Sequence, residues 1–220
     1  MNFDKLKPLL EALDQICRYN KPVLIHAHLI PLFKEHCGLE EIKLIPWDGK
    51  RIIGLHLSAP AEKRLVIYHK HCPTHDPDDV EASCPDCQDM RFVIAKELIH
   101  ALDGNGHRSS AADATKTLID QLLREAWAES LPGTADFMGG IWAGELLMRY
   151  KSRWPMHGGG VLAPGMLLIQ ARANSDFSYI ARQFCVPQDV VRHLLSDRYM
   201  SAMKQLRQAL GLPVMWETLD

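Results

Sequence analysis

Along residues 3–19 the apolar positions Leu6, Leu9, Leu10, Leu13, Ile16 and Cys17 return every three or four residues, which predicts an amphipathic helix. A second helix is expected over 22–36, with Pro22 at its start and Gly38 just past its end. Three strand-like runs follow at 42–46, 51–57 and 64–69, and Asp48-Gly49 between the first two reads as a hairpin turn. From Met90 to Asp103 the pattern is so densely apolar that it predicts a helix buried on most of its circumference, with Asp89 as N-cap and Gly104 beyond its end. Further helices are expected at 111–130, at 134–150 with Thr134 as N-cap, at 164–171 and at 199–210, with a closing strand or tail at 212–217. Residues 177–195 read as two short helices about Cys185-Val186-Pro187, a helix-turn-helix with Ala181 and Val191 packing the elbow and Cys185 where glycine is usual. No internal repeat and no low-complexity segment interrupts this order.

Composition narrows the class. The chain has 220 residues and a formal net charge of −2, which argues against a general nucleic-acid or membrane surface. The first ten residues carry Asp4, Lys5 and Lys7 where a signal peptide needs an unbroken apolar run, and no apolar stretch is long enough to span a bilayer. The expected location is the cytoplasm, where the six cysteines would be reduced or metal-bound rather than paired. His26, His28, His36, His56 and His193 are scattered and read as structural or exposed.

Two groups of residues carry candidate chemistry. On the buried helix Lys96, His100 and Asp103 fall in one stripe with Glu97 at its edge. Either this stripe is the solvent face of an amphipathic helix, or it is paired, metal-bound or open to a cleft, because burying such groups alone is costly. Lys96-Glu97-Leu98-Ile99-His100 is a His-Glu-x-x-His zinc motif with Lys in place of the first His. The second group is the loop 69–89, with Cys72, Cys84 and Cys87 and the nearby His69, His71 and His75. Cys84-Pro-Asp-Cys87 has the gap of a zinc knuckle, so three thiols and one of the imidazoles, His71 or His75 foremost, would make a closed structural zinc site. A flexible loop with free thiols, or a reversible Cys84–Cys87 disulfide, is the other reading, since a second Cys-x-x-Cys is missing.

The residues Arg91, Phe92, Ala95, Glu97, Leu98 and His100 resemble the active-site helix of the ImmA/IrrE family of metallopeptidases, which reads RF-x-x-A-H-E-L-x-H. Ala143, Glu145, Leu146, Leu147 and Met148 resemble the tail of that family's downstream helix, in which Gly139 stands for Ala, Trp142 for Phe, Arg149 for Pro and Asp136 for the third zinc ligand. The resemblance covers roughly residues 42–195 and is specific only over 91–100 and 136–148. It implies an α+β, zincin-like fold in which a small antiparallel sheet packs on a mainly helical domain with a helical C-terminal appendage. The expected division is N-terminal helices at 1–40, a metallopeptidase-like core at 41–155 and a C-terminal helical segment at 156–220. It also implies Glu97 as general base and His100 and Asp136 as ligands of a catalytic zinc, with Lys96 standing where the remaining ligand belongs. An ammonium cannot coordinate zinc without losing its proton. Three functions follow. A pseudo-peptidase would keep the fold to bind a protein or peptide and serve as a regulator. An active hydrolase would use an altered metal set drawing on His107 or His157. A DNA-binding regulator would act through 177–195, where Arg182, Arg192 and Arg198 are offset by Asp176, Asp189 and Asp197.

Overall fold

A computed structural model of the chain describes residues 3–17, 21–47, 54–59, 62–80, 84–102, 135–149, 177–197, 199–200 and 211. The helices expected at 111–130, 164–171 and 199–210, the tail at 212–217, the turn Asp48-Gly49, and Asp103, His107 and His157 lie outside the described residues.

Helix α1 spans Phe3–Ile16 and buries Leu6, Leu9, Leu10 and Leu13, while Ile16 is exposed. The second helix begins with a π turn, Ile25–Leu29, and continues as α2, Ile30–Cys37. Pro31 explains the widened turn, because a proline lacks the N–H that an α-helical ladder needs and its ring crowds the carbonyl one turn back. Gly38 ends α2 with φ 65, a left-handed position that costs glycine nothing, and Leu39 N–H donates back to the Lys34 carbonyl at 2.8 Å.

Strands β1, Glu41–Trp47, β2, Gly54–Ala59, and β3, Arg64–Lys70, form one sheet in the order β1-β3-β2. The expected antiparallel β1–β2 hairpin is not what forms. β1 pairs parallel to β3, with Glu41 opposite Arg64 and Trp47 opposite Lys70, and β2 pairs antiparallel to β3, so the sheet is mixed. The physical reason lies in side-chain alternation. β3 buries Leu65, Ile67 and His69 on one face and takes the centre, whereas β1 buries no residue fully and contains Pro46, which suits an edge.

The central element is α3, Pro85–Leu102, which packs against β2 and β3 and also against α4, Ala135–Leu147. Contact on both sides accounts for its apolar density. Phe92, Ile94, Leu98 and Ile99 are fully buried, each contributing about 2 kcal/mol of hydrophobic stabilisation. The helix begins four residues ahead of the expected Asp89 cap, because Pro85 takes the first helical position, where its missing N–H costs nothing. The expected pair of short helices is present as α5, Phe177–Phe184, and α6, Gln188–Leu194. Cys185 holds φ 50 at the elbow, with Val186 N–H donating to the Ala181 carbonyl at 3.0 Å. Among the described residues no helix is long and apolar enough to cross a membrane.

Candidate metal centre

The loop between β3 and α3 brings four side chains to one point. Cys72, His75, Cys84 and Cys87 lie close together and could hold a metal ion. The sulfur of Cys72 is 3.7 Å from that of Cys84 and 3.4 Å from that of Cys87, and Cys84 and Cys87 are 3.0 Å apart. The His75 Nδ1 is 3.5 Å from Cys72, 3.6 Å from Cys84 and 3.1 Å from Cys87. All three cysteines are free thiols, since a disulfide requires about 2.05 Å between sulfurs.

Local sequence explains the convergence. Cys84 precedes the first turn of α3, and its sulfur accepts the Cys87 N–H at 3.3 Å. Lys70, at the end of β3, reaches Asp86 at 2.7 Å and Asp89 at 3.1 Å, pinning that first turn to the sheet. Burial opposes the Cys72 thiolate, but the Thr74 backbone and hydroxyl, Cys87 and His75 outweigh it and lower its pKa to about 6. Burial and the two neighbouring sulfurs push the Cys87 thiol up. A divalent cation would take up the thiolate charges as the thiol protons leave.

Of the three candidate imidazoles only His75 belongs to this group. His71 is exposed, and the buried His69 has its Nδ1 2.9 Å from the Lys70 carbonyl, which makes that nitrogen the protonated one. The chain had signalled the choice. Cys72-Pro-Thr-His75 and Cys84-Pro-Asp-Cys87 are two arms of one pattern, ligand-Pro-x-ligand, so the arm missing as Cys-x-x-Cys is present with histidine as its second ligand.

Further along α3, Lys96, Glu97 and His100 are all buried, so the described part of the stripe is not the solvent face of an amphipathic helix. Lys96 is 2 % exposed and its Nζ stands 3.8 Å from Glu97 Oε1, an ion pair rather than a direct hydrogen bond. The Cε1–Nε2 edge of His100 faces Gly139 on α4 so closely that a Cβ there would sit 2.8 Å from both atoms. Any side chain at this crossing would force the His100 ring to shift, and Asp136 stands one turn before it on the same helix, its side chain outside the described residues. Lys96→Met is expected to destabilise the protein more than Lys96→Met combined with Glu97→Gln, because the single change removes the ammonium beside a buried carboxylate and keeps the carboxylate's charge. Chemical denaturation of the four proteins should return a coupling of about 2 kcal/mol, and additivity would contradict the pair.

Two further residues do much of the positioning. Arg91, fully buried on α3, donates to three carbonyls: Nη1 to Pro77, Nη2 to Val23 and Nε to Cys185 at 3.2 Å. Burial lowers its pKa, with Cys185, Asp78 and Cys87 pulling the other way. Asp78 accepts the N–H groups of Ile25 at 2.5 Å, His26 at 3.1 Å and Ala27 at 3.3 Å. A periodicity argument has no means of finding Asp78, because its partners lie more than fifty residues upstream, at separations of 51 to 53. No family model matches the chain, and no curated protein matches it.

Proposed function

We propose that the chain is a pseudo-peptidase: an ImmA/IrrE-like metallopeptidase fold retained as a regulatory module that binds a protein or peptide, with one structural zinc in the cysteine loop. The observation that carries this reading is Lys96, buried beside Glu97 at 3.8 Å where the resemblance calls for a histidine ligand. A protonated amine has no lone pair for a metal and repels a cation, and its charge neutralises the carboxylate that would act as base. The α3 residues therefore do not fit a catalytic zinc, and no hydrolytic step is assigned to them.

The loop, by contrast, fits zinc. A tetrahedral ion at about 2.3 Å from sulfur and about 2.05 Å from nitrogen places two sulfurs about 3.8 Å apart and a sulfur and a nitrogen about 3.6 Å apart. The separations Cys72–Cys84 at 3.7 Å, His75–Cys84 at 3.6 Å and His75–Cys72 at 3.5 Å are of that size, while the three to Cys87, at 3.0–3.4 Å, are shorter, so Cys87 would move outward to admit the ion. Four protein ligands leave no position for a reacting water, which favours a structural role over a catalytic one. DNA recognition through 177–195 is disfavoured by packing. Val190, Val191 and Leu194 of α6 are buried, Leu194 abuts Gly144 of α4, and exposed Arg192 is paired with Asp189 at 2.9 Å.

Restoring the motif tests the reading. Lys96→His with Asp136→Glu is expected to bind a second zinc beyond the one in the loop and to gain slow hydrolysis of an unstructured peptide, while the wild type has little or none. Chelator-sensitive cleavage by the wild type that Glu97→Gln abolishes would overturn the pseudo-enzyme.

A further inference from the structure

We infer that occupancy of the Cys72/His75/Cys84/Cys87 centre controls whether the helical segment beginning at Ile25 stays docked on the core, so that the loop is a metal-controlled latch. This rests on the reading of the loop as a metal site. Between His75 and Cys84, two consecutive residues hold other parts of the chain. Pro77 offers its carbonyl to Arg91 on α3. Asp78 places its carboxylate on the N–H groups of Ile25, His26 and Ala27. Those three amides open the π turn and have no acceptor within their own helix, so a carboxylate that satisfies all three stabilises both the turn and its attachment.

The aim of Asp78 depends on the loop around it. The Asp78 N–H donates to Asp76 Oδ1 at 2.7 Å, and the Asp79 N–H to the Asp76 carbonyl at 3.2 Å, a tight turn that begins one residue after His75. A metal at His75 and Cys84 fixes both ends of this stretch. Without it, no ion ties His75 to Cys84, and closing the loop costs entropy that the loop's own contacts, those of Asp78 and Pro77 among them, must then offset. Metal binding and the capping of the π turn are therefore coupled, and the coupling runs through the backbone of three residues.

Amide hydrogen exchange on the full chain reads this directly, comparing zinc-loaded protein with protein stripped by a chelator under reducing conditions. Zinc loss is expected to speed exchange on the order of tenfold in residues 25–29 together with 72–80, while 41–47 in β1 changes less than about twofold. Asp78→Ala is expected to keep about one zinc per chain, to show fast exchange at 25–29 even when loaded, and to lose the response there to chelation. If that variant does not fold, Asp78→Asn, which keeps one acceptor oxygen, should show a reduced response. Continued protection of 25–29 after 72–80 has opened would overturn the latch and leave the zinc reading standing. A uniform rise that includes 41–47 would also overturn it, as loss of the whole fold. A chain that carries no zinc and takes none up would remove the metal reading and the latch together.

Discussion

Replacing Cys84 and Cys87 together by serine is expected to empty the loop of metal and to lower the free energy of unfolding by roughly 4 kcal/mol, the linkage expected when an ion is present at about a thousand times its dissociation constant. Each serine removes a thiolate donor, and a hydroxyl is a far weaker ligand for a borderline-soft ion. Elemental analysis should show about one zinc per chain in the wild type and almost none in the double variant. Cobalt(II) added to stripped wild-type protein should give the intense visible absorption of a tetrahedral thiolate complex, and the variant should not. His71→Ala, at an exposed position outside the cluster, should leave metal content unchanged, whereas His75→Ala should weaken it. A wild type prepared without chelator that carries no metal would contradict the centre.

Arg91→Ala is expected to cost about 5 kcal/mol, because three buried carbonyls would each lose a charged donor, at about 1–3 kcal/mol apiece. The carbonyls belong to different parts of the chain: Val23 before the π turn, Pro77 in the metal loop and Cys185 at the α5–α6 elbow. Loss of the guanidinium should therefore loosen regions far apart in sequence at once. Arg91→Lys should recover little, since one ammonium does not reproduce a planar fork with donors in three directions. Urea denaturation measures the cost, and limited proteolysis should show new cleavage near 23, 77 and 185 together. A loss below about 1 kcal/mol would mean that water replaces the arginine at those carbonyls.

The parts of this arrangement that were legible in the sequence are those governed by short-range rules. The stripe Leu6, Leu9, Leu10, Leu13 announced α1, Gly38 announced the end of α2, and the apolar density of α3 announced burial on both sides. Cys185 stood out as a non-glycine residue in a glycine position, and it holds a positive φ. Asp89 resembles a cap and hides the true start of α3, for which Pro85 after Cys84 is the stronger signal. The sheet order is hidden because Asp48-Gly49 is a good turn in isolation, and only burial of β3 on its inner face decides which strand is central. His75 was distinguishable from His71 by the repeat of Cys-Pro-x-ligand, a pattern that is visible only when His is read as equivalent to Cys. The roles of Arg91 and Asp78 depend on carbonyls and amides brought from distant positions, and backbone groups leave no trace in a side-chain pattern.

The placement of β3 between its neighbours bears on how the chain assembles. β2 and β3 are adjacent in sequence and antiparallel, so they can zip together locally on the microsecond timescale of hairpins. β1 is made before either, yet its ladder partner is β3, and the pairing is parallel, which forces the chain to return before a single bond can close. On a growing chain, β1 thus emerges with its backbone amides and carbonyls solvated and its Trp47 exposed, an early strand waiting for a template that is synthesised last of the three.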